Sequence, residues 1–203
     1  MLKRMMFVLV TLCLCIPLTG CGGEKKAEAP KSDAKPTASN KAEAAPAPAN
    51  GKVLVAYFSW GGTTRKAAKA IQQKTGGDLY EIKTEKPYPT EYHLTTDIAK
   101  KEKADNVRPK LAGSLPDMKK YDVILLGYPI WWYIEPMAVK TFVEAQDLSG
   151  KTILPFATSG GSGVEGSVSD LRKTLPNAKV KDGILLNSTG GLDGWLKDNG
   201  LAK

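Results

Sequence analysis

The chain has 203 residues, 29 of them basic and 21 acidic, for a formal charge of +8, and 42% of it is hydrophobic. That composition excludes a wholly disordered chain, a collagen and a multispan membrane protein. All three cysteines lie in the first 21 positions, which excludes a disulfide framework in the rest of the chain, and His93 is the one histidine, which leaves a Ser-His-Asp triad or a multi-histidine metal site close to excluded.

The first twenty residues read as an address. Lys3 and Arg4 precede an apolar run from Met5 to Leu18. Fourteen residues rise about 21 Å as a helix, short of the roughly 30 Å of a bilayer core, so the run reads as an export signal over 1–20. Its end, Leu18-Thr19-Gly20-Cys21, resembles a bacterial lipobox. The resemblance implies cleavage before Cys21 and acylation of that cysteine, so the expected location is the extracytoplasmic face of a membrane, periplasmic or cell-surface. Residues 21–51 then form the expected tether. Positions 22–51 hold nine Ala, five Lys and four Pro and no large apolar side chain, a composition that cannot bury a core.

From Lys52 the pattern changes, and 52–203 reads as one domain. Val53 to Phe58 is a continuous apolar run, as expected of a strand covered on both faces. A helix is predicted over Arg65 to Thr75, stopped by Gly76-Gly77, and a second strand over Leu79 to Ile82. Glu85 to Lys120 is the least regular stretch, with one poorly amphipathic helix near Glu91 to Lys103. Lys100, Lys101 and Lys103 there read as a solvated helix face, and no basic cluster interleaved with stacking aromatics marks a nucleic-acid partner. Val123 to Gly127 is a third strand, and Pro136 opens a helix with Val139, Phe142 and Val143 on its buried face. Thr152 to Ala157 is a fourth strand. Val164, Val168, Leu171 and Leu175 space out an amphipathic helix, Gly183 to Leu186 gives a fifth strand, and Leu192 to Leu201 a closing helix. Strands alternating with helices imply an α/β domain with a doubly wound, five-stranded parallel sheet.

In such a sheet ligands bind beyond the carboxyl ends of the strands, where three loops stand out. Ser59, Trp60, Gly61, Gly62, Thr63 and Thr64 join the first strand to its helix. Hydroxyls and amides at a helix amino terminus suit a phosphate, and a plain strand-to-helix turn fits the same residues equally well. This loop carries no GxGxxG or GxxxxGK[ST], so a monophosphate is a better fit there than a dinucleotide or a nucleoside triphosphate. Pro129, Ile130, Trp131, Trp132 and Tyr133 follow the third strand, either as a stacking surface for a flat ring or as core. Thr158, Ser159, Gly160, Gly161, Ser162 and Gly163 follow the fourth, with amides and hydroxyls for the polar edge of a ring. Phosphate grip, aromatic wall and polar edge together describe a site for flavin mononucleotide (FMN).

The stretches Tyr57 to Arg65, Gly127-Tyr-Pro-Ile-Trp-Trp132 and Thr158-Ser-Gly-Gly-Ser-Gly163 resemble short bacterial members of the flavodoxin-like superfamily, with Thr63 where those carry asparagine. The resemblance implies a 2-1-3-4-5 strand order and noncovalent FMN. It implies a phosphate held by Ser59, Gly61, Gly62, Thr63 and Thr64, with the other two loops around the isoalloxazine. No side chain is expected to act as an obligatory acid or base, and no metal site is expected. Glu135 and Glu165 are open to two readings, tuning the potential or solvated helix starts. Tyr133 either covers the ring or is core. Three functions are compatible with these features: a lipid-anchored electron carrier with unknown donor and acceptor proteins, an NAD(P)H:quinone-type oxidoreductase, or a non-redox flavin-binding lipoprotein.

Overall fold

A computed structural model describes residues 53–201. The export signal, Cys21 and the tether over 21–51 lie outside the described residues.

Five strands lie parallel in the order β2-β1-β3-β4-β5, with a sixth short strand also paired to β4. They are β1 (Val53–Tyr57), β2 (Asp78–Glu81), β3 (Val123–Pro129), β4 (Thr152–Thr158), β5 (Lys179–Val180) and β6 (Ile184–Leu185). The helices are α1 (Thr63–Thr75), α2 (Tyr92–Ala104), α3 (Met137–Glu144), α4 (Glu165–Thr174) and α5 (Leu192–Asp198).

The continuous apolar strands are covered on both faces because successive side chains alternate between them. Leu54, Ala56, Ile124, Leu126 and Tyr128 point into one core with Val139 and Phe142 of α3 and Val168 and Leu171 of α4. Val55, Tyr57, Leu125, Leu154 and Phe156 point into the other with Ala67, Ala68 and Ile71 of α1 and Leu192 and Leu196 of α5. Gly127 pairs with Phe156 across β3 and β4, and the Phe156 ring lies where a side chain at 127 would be.

Most boundaries fall within two residues of the sequence expectation, and two elements depart from it further. The fifth position is not one run over Gly183 to Leu186. It is two pieces, with the gap opposite Pro155. Ile153 and Ala157 accept from the amides of Lys181 and Leu186, and Pro155, between them on the same side of β4, has no N–H to give. The closing helix stops at Asp198, short of Leu201.

Helix α2 buries only Thr95 and Ala99. Its start is fixed by Glu91, whose carboxylate accepts from the amides of His93 and Leu94 at 2.8 and 2.6 Å.

Candidate functional site

The carboxyl ends of β1, β3 and β4 open into a cavity of about 760 Å³. Its lining contains no charged side chain. A cavity of this size falls within the range of small-molecule sites.

After β1, the Ser59 hydroxyl accepts from the amides of Gly62 (3.1 Å) and Arg65 (3.2 Å), which folds the loop back on itself. Gly62 then takes φ 88°, a left-handed conformation that suits glycine, and α1 begins at Thr63. The amides of Thr63 and Thr64 head the helix and make no hydrogen bond among the described residues. Trp60 and Thr63 line the cavity, whereas Ser59, Gly61, Gly62 and Thr64 do not. Thr64 is buried instead, its hydroxyl 2.9 Å from that of Thr158. Arg65 is turned away and pairs with Glu81, Nε at 3.1 Å and Nη2 at 2.5 Å. Burial pushes the Tyr57 phenol up, assisted by Glu81 and opposed by Arg65.

After β3, the chain makes a hairpin in which the amides and carbonyls of Trp131 and Ile134 pair in both directions, at 2.9 and 3.2 Å. The two residues at its tip, Trp132 (φ 50°) and Tyr133 (φ 71°), both have positive φ, the signature of a tight primed turn that normally takes Asn or Gly. The two readings of this loop therefore divide along it. Pro129, Ile130 and Trp131 line the cavity, and the Trp131 ring also packs edge-on against Phe58 (5.5 Å between centroids) and Tyr88 (5.0 Å), as an extension of the core. Trp132 and Tyr133 are exposed, at 38% and 68%, and stand at the rim. Trp132 is held by α2: its indole N–H donates to the Thr96 carbonyl at 2.9 Å, and Lys103 donates to its own carbonyl at 2.6 Å. The Lys100 ammonium lies 5.1 Å from the ring centroid. All three lysines of the run are exposed, as on a solvated face, and Lys100 and Lys103 also reach the site hairpin.

After β4, Ser159 repeats the device of Ser59. Its hydroxyl accepts from the amides of Gly161 (3.1 Å) and Ser162 (2.7 Å). Asn187, beyond β6, pins the loop from outside with a reciprocal pair, Ser159 N to Oδ1 and Nδ2 to the Ser159 carbonyl, each 2.8 Å. Thr158, Ser159, Gly160, Gly161 and Ser162 line the cavity, and Gly163 does not.

Four lining residues were not singled out from the sequence: Tyr92, Thr96 and Ala99 of α2, and Asn187. The spacing of four and then three puts the first three on one face of α2. Asn187 lies past the carboxyl end of the last strand, where the general rule for parallel sheets directs attention. Trp60 ties the first loop to this same segment, its indole N–H donating to the Pro89 carbonyl at 2.6 Å.

A family model described as flavodoxin matches residues 52–199. The chain belongs to the flavodoxin family. Among solved structures, a candidate flavoprotein from Bacteroides eggerthii is similar to this flavodoxin chain at 40% identity, over 72% of this chain and 96% of that one, with a TM-score of 0.68. A counterpart from Bacteroides uniformis gives 38%, 73%, 99% and 0.68. A flavoprotein from Lactobacillus acidophilus solved in complex with FMN gives 27%, 71%, 97% and 0.62. No curated protein matches this flavodoxin chain.

Proposed function

We propose that the protein is a membrane-anchored, extracytoplasmic flavodoxin that binds FMN in the cavity and transfers electrons through it. The observation that carries this reading is the makeup of the cavity. Open amides at the head of α1 lie at one loop, indole and phenol rings at the second, and amides and hydroxyls of a glycine loop at the third, with no charged side chain in the lining.

These residues fit the group. The amides of Thr63 and Thr64, with the Thr63 hydroxyl and the positive end of the helix, would hold the phosphate without a cation, because Arg65 is committed to Glu81. Trp132 and Tyr133 would flank the ring, and the 158–162 loop, braced by Asn187, would meet its polar edge. Ser59, Gly61, Gly62 and Gly163, and the buried side chain of Thr64, shape these loops from behind. The flavin would supply one- and two-electron transfer. The chain's own part is to bind it, shield it with aromatic surface and leave negative charge on the reduced ring unneutralised, which makes the bound cofactor the stronger reductant.

Acylation of Cys21 would tether the domain outside the membrane, reached through residues 22–51. Relatives that consist almost wholly of the matched domain support treating 52–203 as the functional unit.

The test is titration of the purified chain with FMN and with riboflavin. Quenching of FMN fluorescence and weaker binding of riboflavin are expected. No binding of either overturns the proposal. On the loaded protein, a potential below that of free FMN supports transfer, and one equal to it supports storage alone. Steady turnover with NAD(P)H and a quinone would make it an enzyme. Loss of acyl labelling in Cys21→Ser checks the anchor.

A further inference from the structure

Behind the hairpin lies a group of charges that the proposed function does not use. Glu135 directly follows Ile134 and is fully buried. Neither of its carboxyl oxygens makes a hydrogen bond of normal geometry. The nearest cation is the Lys140 ammonium, 3.8 Å away, and that ammonium is already tightly paired with Asp170 of α4. Two carboxyl groups thus share one buried ammonium. From β3, Tyr128 is also fully buried, its hydroxyl 3.1 Å from that of Ser167. Arg108, paired with Glu144 of α3, acts on the group from its outer side.

The same helix that carries Asp170 touches the hairpin. A side chain at Gly166 would come within 2.8 Å of the Tyr133 carbonyl. The hairpin tip has two side-chain-bearing residues in the left-handed region, a conformation that persists only where the surroundings enforce it. Two residues beyond that tip the chain is fixed by Glu135, sealed in the interior.

We propose that Glu135 is a positioning residue for the cavity: as a neutral acid it anchors the Trp131–Ile134 hairpin in its strained form, and on losing its proton to solvent it leaves the interior and releases that wall. A buried carboxylate whose one nearby ammonium is already paired with Asp170 is costlier than the acid. Burial, opposed by Glu135's own backbone amide and by Lys140 and reinforced by Asp170, pushes Glu135 up to about 8. Burial acts upward on Asp170 too, but its bond to Lys140 keeps it low, so Glu135 is the member of the pair that holds the proton. The Tyr128 phenol is pushed well above its ordinary range by burial and does not titrate with it.

The proposal rests on the FMN reading only for the identity of the ligand, because the hairpin responds to pH without one. Tryptophan fluorescence of the ligand-free full chain, measured against pH, is therefore the first experiment. A single step near pH 8, below the range of ordinary tyrosines, is expected. Glu135→Gln, neutral and of the same shape, abolishes it. Asp170→Asn gives Glu135 sole use of Lys140 and moves the step to lower pH. FMN is then the probe: its affinity falls by up to about tenfold per pH unit above the step in the wild type and stays constant in Glu135→Gln. Absence of the step, or a step that survives Glu135→Gln or does not move in Asp170→Asn, overturns the proposal. A step that obeys the variants in a protein that binds no FMN at any pH sustains it and rejects the flavin reading instead.

Discussion

Replacing Gly127 by alanine tests whether the register at the carboxyl ends of β3 and β4, from which two of the three site loops spring, depends on one packing contact. Gly127 lies opposite Phe156, and an added Cβ would fall within 2.9 Å of three carbons of that ring. Both neighbours are fixed. Phe156 is fully buried, and the glycine is inside a seven-residue strand. The ring must therefore leave its rotamer, at about 0.5–1.5 kcal/mol, and push into a close-packed core, at about 1–3 kcal/mol. A loss of roughly 2–4 kcal/mol is expected. Phe156→Ala alone costs about 3–5 kcal/mol through the cavity it leaves. In the double variant the new methyl occupies part of that cavity, so the two losses do not add. The coupling should reach at least about 1 kcal/mol in the stabilising direction. Urea unfolding of all four proteins, with the slope checked for constancy, measures it. Additive losses, or a tolerated Gly127→Ala, would refute the account of that glycine as an excluded-volume position.

Three further outcomes are expected. The domain should lose stability as pH rises from about 4.5 to about 8, because the folded state keeps the Glu135 proton that the unfolded chain has already released. At about 1.4 kcal/mol per pH unit, that interval bounds the loss at roughly 5 kcal/mol, and a urea midpoint that is flat or rising across it contradicts the burial argument. Thr158→Val strands the buried Thr64 hydroxyl and should cost about 1–3 kcal/mol, with little added by a second change, Thr64→Val; equal, additive losses in the unfolding midpoints would show that the pair is not one unit. Asn187→Ala removes two exposed hydrogen bonds to Ser159, so stability should move by less than about 0.5 kcal/mol while FMN affinity falls several-fold, as a fluorescence titration would record.

The strands were legible because burial on both faces leaves a plain apolar run, as in Val123 to Leu126, and the order of strands and helices then admits few topologies. The split of the fifth strand was legible in principle from Pro155, but only with the pairing parity in hand, and parity is a property of two strands together. Helix α2 was found, with its weak amphipathic pattern, but its part in the cavity was not. A helix whose inner face looks into a cavity presents Tyr92, Thr96 and Ala99 there rather than a row of aliphatics, so its weak amphipathic pattern was a sign of the site rather than of irregularity.

The loops show a different limit. Counting donors and acceptors along Ser59 to Thr64 and Thr158 to Gly163 identifies ligand-binding capacity only before the loops satisfy themselves. Ser59 and Ser159 each use their hydroxyl to accept two amides of their own loop, and Thr64 and Thr158 use theirs on each other. What is left for a ligand is the complement of that internal bonding, the Thr63 and Thr64 amides above all, and it appears only once the turns are built. Glu135 makes the same point about charge. In the sequence it is an ordinary glutamate just ahead of a helix. Only the tertiary structure shows that α3 and α4 give it a single ammonium already claimed by Asp170. A tunable acid next to a strained ligand-binding wall therefore arises from how three elements meet, and none of them carries it alone.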